Sequence, residues 1–399
     1  STPMNYVWNA VRLWRVSEGR FFPVSAIENV YMFSVVHDRL NFKWLQITAV
    51  LVVCGLLWIV VQEIGNHSQL TFVITILGIT FIQVRLWYDP TIGFGLLLQS
   101  VFIKLLISML ASLRTITSES ALGVTVWWLL ACAFWTLAIF QYEVVIFVWP
   151  VMVVVVLISS ARSVARKLVG LLSTAIPTAL CVMTSVILRK GVANSPAYTI
   201  SLVDSGLLMT YVKEVVAALP LTSGLSDSHY AWTMGSVLAG LATAILAILV
   251  TSRIRSSPNP RRTLSISVFG LGLWILPAVP VAMSSRWQAE LTWGNGYLPV
   301  FIQYFGVAIL LGVCVVSLVG RMRTRKLGVR AIVLILVSVP VGAIAATHAA
   351  HAEWVTRAME PITWKRELFE ENVRDGFFAE IPTGASVISS SYAPNGWFN

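Results

Sequence analysis

Charged residues are scarce in this sequence, and acidic ones most of all. Only 12% of its 399 residues are charged, 18 of them Asp or Glu, whereas 57% are hydrophobic and the mean hydropathy is +0.79. Soluble domains carry roughly 25% charged residues. The composition therefore excludes a soluble globular protein and predicts an integral membrane protein.

Several signals of other protein classes are also missing. The four cysteines lie in apolar stretches without paired spacing, so we interpret them as small buried hydrophobic residues. The first residues contain no charged start followed by an apolar run, so no signal peptide is visible. The sequence has neither a glycine-rich phosphate loop nor a Gly-x-Ser-x-Gly elbow, and it gives no sign of ATP hydrolysis.

Long apolar runs dominate the chain instead. Ten of them are close to the ~20 residues that a helix needs to cross a bilayer. Lipid cannot satisfy open backbone groups, and alternating strands of about ten residues are absent, so the runs predict an all-α, polytopic transmembrane bundle. The predicted spans are 44–62, 70–87, 92–112, 123–141, 144–159, 168–188, 231–251, 264–283, 300–319 and 331–348.

Three loops between these runs contain twelve Lys or Arg residues and no Asp or Glu: 160–167, 252–263 and 320–330. Cytoplasmic loops carry an excess of Lys and Arg, so the three loops predict the inner face. They also explain much of the net charge of +10 without a nucleic-acid partner. The first hairpin carries the weakest signal, because 63–69 has no Lys or Arg and Arg114 stands alone in its loop.

Alternation from the basic loops places six segments on the external face: 1–43, 88–91, 142–143, 189–230, 284–299 and 349–399. We predict three parts: an external segment (1–43), a transmembrane domain (44–348) and an external C-terminal segment (349–399). Within the first part, 26–43 has the spacing of an amphipathic helix in the membrane plane. In the last part, 353–375 predicts a helix and 385–389 the first strand of a soluble external domain.

Two of the external gaps contain acidic residues at the membrane surface. Asp89 lies in a short turn four residues after Arg85, which predicts either a site residue or an interfacial ion pair. Glu143 lies between two spans, where an unpaired carboxylate is costly, so we interpret it as a site residue or as the partner of Lys104. Lys104 itself is inside a span, and it is expected to bind a carboxylate or, alternatively, a lipid phosphate.

Further candidates lie in the first and fifth external gaps. Glu18 and Arg20 flank a glycine, and a solvated turn is the alternative interpretation of this pair. Arg286 is placed to bind a phosphate, because a guanidinium matches phosphate oxygens. Trp287 beside it predicts a stacking surface for a sugar or an isoprenoid head, whereas most external aromatic residues fit an interfacial belt.

A metal site is a further alternative. His348 and His351 are three residues apart on one helix face, with Glu353 close by. Because the pair falls where the last span ends, we favour an interfacial role for it. No cofactor is predicted firmly, and a divalent metal remains open.

The order of several short motifs resembles the bacterial membrane glycosyltransferases of the GT-C class, in particular the glucosyl-transferring members that modify cell-surface polysaccharide. The resemblance covers most of the chain. Its motifs are GRFFP (19–23), RLWYDP (85–90), GFGLLLQSVF (93–102), YE (142–143), AALPL (217–221) and GYLPVFIQYFG (296–306).

The resemblance implies an enzyme of the bacterial cytoplasmic membrane that transfers a sugar from a polyprenyl-phosphate carrier to a glycan or lipid-linked acceptor outside the cytoplasm. The class commonly carries its catalytic Asp after a first transmembrane helix, and alternation also requires a helix before residue 1. We therefore expect a chain truncated at its start, with Glu18 as the substitute acid, and truncated at its end as well.

The expected chemistry assigns a role to each candidate. A carboxylate of Asp89, Glu18 or Glu143 would orient or deprotonate the acceptor hydroxyl while the sugar carbon develops positive charge. Arg286 and Arg20 would hold the departing phosphate. Three other functions stay open: a lipid-linked sugar flippase or transporter, a surface polysaccharide polymerase or ligase, and a non-catalytic membrane partner.

Overall fold

The computed structural model describes most of the chain: residues 3–18, 20–36, 39–85, 89, 91, 96–158, 163–189, 206–226, 230–254, 258–322 and 327–376. This described part is almost entirely helical and contains no β-sheet. The predicted all-α fold is confirmed. The predicted strand at 385–389 lies outside the described residues.

The helices of the first half are α1 Pro3–Glu18, α2 Pro23–Val35, α3 Arg39–Gly65, α4 Ser68–Phe81, α5 Leu97–Thr117, α6 Ala121–Gln141, a 3₁₀ segment Glu143–Val148, α7 Trp149–Ile158 and α8 Val164–Arg189. Those of the second half are α9 Gly206–Ala217, α10 Ser223–Ser226, α11 Met234–Ser252, α12 Pro260–Ile275, α13 Ala278–Ala282, α14 Ser285–Glu290, α15 Val300–Arg321 and α16 Leu327–Arg374.

Eight helical stretches among the described residues are long and apolar enough to cross a membrane. They are Leu40–Gly65, Leu97–Thr117, Ala121–Gln141, Val164–Leu188, Met234–Ser252, Pro260–Ala282, Val300–Arg321 and Ala331–Glu360. The second and fifth predicted spans correspond to two shorter apolar helices, Ser68–Phe81 and Glu143–Ile158. The chain is therefore a multi-pass helical membrane protein.

The core forms where apolar faces of successive helices meet. Helix α5 packs against α3, α6 and α8, while α15 packs against α4 and α12. Phe102 of α5 meets Phe305 of α15 with ring centroids 5.1 Å apart. Helices α11 and α16 cross closely, since a Cβ atom on Gly240 would lie 2.7 Å from the carbonyl oxygen of Gly342.

Polar contacts connect the helix ends into two opposite groups. At one end, Arg114 pairs with Glu63 at 2.7 Å and the Gln69 side chain donates to the Arg253 carbonyl at 2.7 Å. We call this the basic end, because the described residues of all three basic loops adjoin the helix ends found there. The first hairpin, which carried the weakest sequence signal, is joined to this end by Glu63 and Gln69.

The opposite end holds the N-terminus of α5 and the C-terminus of α6, and we call it the site end. Here Gln46 of α3 and Gln99 of α5 both donate to the carbonyl oxygen of Thr91, at 3.0 and 3.1 Å. Helix α5 has 21 residues, and at 1.5 Å per residue it separates the two ends by about 30 Å.

The structure divides one predicted helix and joins two other predicted segments. The predicted helix 26–43 is divided: α2 ends at Val35, and residues from Arg39 onward belong to the membrane-crossing helix α3. The predicted last span, 331–348, and almost all of the predicted helix 353–375 belong to one helix, because α16 runs without interruption from Leu327 to Arg374, through 48 residues. At about 72 Å, α16 is more than twice as long as the ~30 Å hydrocarbon layer.

Candidate functional site

Arg85 is the buried centre of the site end, with 3% of its surface exposed. Its Nε atom donates to the Tyr304 hydroxyl at 3.0 Å, Nη1 to the Asn295 carbonyl at 2.5 Å and Nη2 to the Ala217 carbonyl at 2.7 Å. One guanidinium thus joins α9, α15 and the loop before α15. Its five fixed donors suit such a junction better than the single ammonium of lysine does.

Asp89 is also buried, with 4% of its surface exposed. Its two carboxylate oxygens accept hydrogen bonds from the backbone N–H groups of Arg85 at 2.5 Å and of Thr91 at 2.7 Å. The contact with Arg85 therefore goes to its backbone, and the predicted side-chain ion pair is not among the contacts of the Arg85 guanidinium. Asp89 thus binds the backbone of both Arg85 and Thr91, and its catalytic role stays a prediction.

Three of the six motifs, RLWYDP, AALPL and GYLPVFIQYFG, meet at Arg85. Ala217 belongs to AALPL, and Tyr304 to GYLPVFIQYFG. Gln83, just before RLWYDP, donates to the Leu219 carbonyl at 2.8 Å and accepts from the backbone N–H of Ser223 at 2.9 Å. Segments more than 200 residues apart in sequence therefore share one hydrogen-bond network.

Glu214 of α9 adds a buried carboxylate that the sequence interpretation missed. It is fully buried; Oε2 accepts from the Tyr297 backbone N–H at 2.7 Å, and Oε1 has no hydrogen-bond partner among the described residues. Burial raises the pKa of Glu214 from 4.5 to about 8, although the Tyr297 N–H and nearby Arg85 favour the charged form. The side chain is mainly protonated at neutral pH.

This raised pKa predicts a pH-dependent stability. The folded state binds the Glu214 proton more tightly than the unfolded state does. The stabilisation of the fold by this proton is therefore complete below about pH 4.5 and is lost as the pH rises through about 8. In Glu214→Gln, which mimics the protonated acid, we expect a smaller fall in melting temperature between pH 5.5 and 8.5 than in the wild type. Thermal unfolding in detergent measures this.

The half-exposed Glu290 supplies the control. Glu290→Gln should show the same fall in melting temperature as the wild type over this pH range, because its carboxylate is accessible to solvent. An equal fall in Glu214→Gln and wild type would contradict the assignment.

An aromatic stack lies beside Glu214. The rings of Trp287 and Tyr297 have centroids 3.8 Å apart, and the Arg286 guanidinium lies 5.0 Å from the Trp287 ring centroid. Trp287 is only 5% exposed. Arg286 also pairs with Glu290 at 3.1 Å, so a phosphate at this position would compete with a carboxylate.

Lys104 is the centre of a second polar cluster. Its ammonium donates to Glu28 of α2, to Ser100 at 2.5 Å and to the Gln141 side-chain oxygen at 2.7 Å. The expectation that Lys104 binds a carboxylate is confirmed, but its partner is Glu28 and the proposed pair with Glu143 is wrong. Because Lys104 is the eighth residue of α5, its side chain reaches the site end.

The Glu28 cluster fixes α2 to the bundle. Glu28 also accepts from Ser100 at 2.8 Å and from the Gln141 amide at 2.5 Å. The helix predicted to lie at the surface is thus tied to α5 and α6 by a charged, multiply hydrogen-bonded contact.

Glu143 pairs with Arg20, and both of these predicted site residues are partly buried. Arg20 Nη2 and Nε lie 2.7 and 3.2 Å from Glu143 Oε1, and the side chains are 17% and 27% exposed. The structure therefore brings an acid and a base from distant parts of the sequence into contact. The Arg20 guanidinium also lies 5.0 Å from the Phe22 ring centroid.

A cavity of about 300 Å³ opens next to this ion pair. Its polar part comprises Arg20, Glu143, Ser185 and Ser284, and the Ser284 hydroxyl is buried without a hydrogen-bond partner among the described residues. The remaining wall is apolar and is formed by Ile146, Phe147, Val182, Val186, Pro280 and Met283. The cavity is therefore amphipathic.

Tyr142 lies close to Arg20 and Glu143 of the cavity and also to Glu214 and Tyr297. It is buried at the end of α6, and burial raises the pKa of its phenol well above 10. Tyr297, Arg20, Glu143 and Glu214 all lie close enough to influence that pKa. The Arg20–Glu143 cavity and the group formed by Glu214 and Tyr297 are thus neighbours at the site end.

The remaining candidates are less informative. Glu18 is the last residue of α1, and its side chain lies outside the described part of the chain. The Nδ1 atoms of His348 and His351 lie 2.8 and 2.9 Å from the carbonyl oxygens of Thr80 and Val84. Within the described residues, no three His, Cys, Asp or Glu side chains form a group that could hold a metal ion.

Comparisons of the chain with protein-family models, with curated proteins and with solved structures find no match.

Proposed function

We propose that this protein is a membrane glycosyltransferase that moves a sugar from a polyprenyl-phosphate carrier to an acceptor at the cell envelope. The observation that carries the proposal is the amphipathic cavity beside Arg20 and Glu143. The positive-inside rule supports an external position for this cavity, because the basic loops belong to the opposite end of the bundle. The order of the sequence motifs supports the same function.

The cavity has the chemistry that a lipid-linked sugar donor requires. Its apolar wall on α8 and the 3₁₀ segment suits an isoprenoid chain entering from the bilayer. The planar guanidinium of Arg20 presents N–H donors whose geometry matches phosphate oxygens, and the Ser284 hydroxyl can donate another hydrogen bond. The volume is at the lower end of the ~300–1,000 Å³ typical of ligand sites.

The ion pair suggests how donor binding prepares the reaction. Phosphate oxygens of the donor would compete for the Arg20 guanidinium and release the Glu143 carboxylate. Glu143 would then accept the proton of the acceptor hydroxyl as that oxygen bonds to the sugar carbon. The bond from this carbon to the phosphate oxygen breaks, and polyprenyl phosphate leaves with its electron pair, stabilised by Arg20.

The other predicted residues receive supporting roles in this proposal. Asp89 shapes the turn next to Arg85, and Lys104 holds α2 in place through Glu28. Arg286 would offer its guanidinium to the acceptor, and the buried Trp287 ring beneath it would hold that guanidinium in place. None of these three roles requires direct contact with the reacting atoms.

The test is transfer by the full chain in proteoliposomes, with polyprenyl-phosphate sugars of long and short chain. We expect Val182→Trp to raise KM several-fold for the long-chain donor and much less for the short one, because Val182 lines the apolar wall. Val164→Trp, at the exposed opposite end of the same helix, is the control.

Each other outcome has a definite meaning. Movement of the donor across the bilayer without a new glycosidic bond would favour a flippase. Chain growth on a lipid-linked glycan, without use of a monosaccharide donor, would favour a polymerase or ligase. Equal KM changes for both donors in Val182→Trp would contradict the position of the isoprenoid chain.

A further inference from the structure

The basic end of the bundle has a cavity of its own, about 400 Å³ in volume. Its lining comes from the ends of α3, α5 and α7 and from the first turns of α12. It lies at the far end of α5 from the proposed transfer site. An inference about it is therefore independent of the proposed function.

The rim of this cavity is positively charged. Arg261 and Arg262 line it, and neither guanidinium makes a hydrogen bond or ion pair with any residue that the structure describes. Glu63, the acidic residue in the lining, is neutralised by Arg114 at 2.7 Å. Two cationic groups thus remain without a counter-charge from the described protein.

The backbone adds to this positive potential. Asn259 is the N-cap of α12 and accepts from the Arg261 N–H at 3.0 Å, with Pro260 at the first helical position. The α12 N-terminus therefore points its partial positive charge at the region where the two arginines begin. The Ser265 side chain, one turn further along α12, also lines the cavity.

The other walls are apolar. They consist of Ile64, Leu113, Ile116, Val155 and Ile158, which belong to helices that cross the membrane or to the short apolar helix α7. A cavity with cationic groups on its rim and aliphatic walls at the end of the membrane-crossing helices matches one kind of molecule, which has an anionic head and an apolar body.

We infer that this cavity binds an anionic glycerophospholipid of the inner leaflet, with the phosphate between Arg261 and Arg262 and the glycerol and acyl part against the aliphatic walls. A soluble phosphate or nucleotide would leave those walls exposed. The site would order the junction of α3, α5, α7 and α12, and so stabilise the end of the bundle opposite the transfer site.

The experiment titrates the full chain in detergent with dioctanoyl-phosphatidylglycerol and measures affinity from the shift in melting temperature. Dioctanoyl-phosphatidylcholine and glycerol 1-phosphate are the comparison probes. We expect the phosphatidylglycerol affinity of the Arg261→Gln/Arg262→Gln variant to be roughly 30-fold weaker than that of the wild type. Its melting temperature without lipid should equal that of the wild type.

Arg253→Gln/Arg321→Gln is the matched control, because it removes two positive charges from the same end without touching the cavity lining. The control should lose only a few-fold in affinity. An equal loss in both double variants would overturn the site in favour of diffuse surface attraction. Equal wild-type affinity for phosphatidylcholine, or for glycerol 1-phosphate alone, would overturn the phospholipid assignment.

Discussion

Replacing Glu143 by glutamine should lower the rate of sugar transfer by about 10²- to 10⁴-fold, the usual contribution of a general base. The amide keeps the shape of the side chain and a hydrogen-bond acceptor for Arg20, so the fold and the donor affinity should change little. Glutamine cannot take the proton from the acceptor hydroxyl. The effect should therefore appear in kcat much more than in KM for the donor.

A matched control is present at the same end of the bundle. Glu290 also pairs with an arginine, at 3.1 Å from Arg286, but its side chain is 45% exposed and it is not part of the cavity lining. Glu290→Gln should retain nearly full activity. Wild-type kcat in Glu143→Gln would remove Glu143 from the mechanism and return the catalytic role to Asp89 or Glu18.

Replacing Arg85 by alanine should destabilise the protein by roughly 3 kcal/mol or more. The truncation leaves the Ala217 and Asn295 carbonyl oxygens and the Tyr304 hydroxyl without their donor, and each buried polar group that loses its partner costs about 1–3 kcal/mol. Unfolding in detergent, followed by tryptophan fluorescence, measures the loss. Arg85→Lys should fall between alanine and the wild type, because an ammonium cannot reproduce the planar fork.

Arg114 offers the comparison for Arg85. It forms an ion pair with Glu63, but its side chain is 47% exposed. Exposed ion pairs contribute about 0–1 kcal/mol, so Arg114→Ala should cost no more than that. If alanine at position 85 were no more destabilising than alanine at position 114, the Arg85 network would not be the junction described above.

The burial of Arg85 extends to Asp89 and bears on the catalytic role that was predicted for Asp89. The sequence interpretation put Asp89 at the surface, where it would be open to a substrate, with Arg85 as a weak partner. In the structure Asp89 is buried, and both of its carboxylate oxygens accept hydrogen bonds from backbone N–H groups. Glu143, which is partly exposed and lies on the cavity, is therefore the better candidate for proton transfer.

The membrane-crossing helices and the two ends of the bundle were predictable from the residues, because each depends on local properties. A run of apolar residues is stable in lipid only as a helix of sufficient length. Clusters of Lys and Arg mark one end of such helices, and the described basic residues are found at that end. The loop of the first hairpin has no Lys or Arg of its own, but it also lies at the basic end, because Glu63 pairs with Arg114.

The pairing of charges required the folded chain. The sequence interpretation offered Lys104 as one partner for Glu143, but Glu28 binds Lys104 because α2 docks on α5 and α6. Arg20 and Glu143 are separated by 123 residues, and no periodicity links them. Glu214 was hidden in a long loop whose sequence signals neither a span nor burial.

Sequence is sufficient where a free energy belongs to one segment, such as the transfer of an apolar helix into lipid or the placement of a basic loop. The site depends on free energies shared between segments, since a carboxylate gains its partner, its burial and its pKa only when several helix ends meet. The all-α membrane fold and its basic end follow from the first kind of term. The Arg20–Glu143 cavity, the Arg85 junction and the protonated state of Glu214 follow from the second.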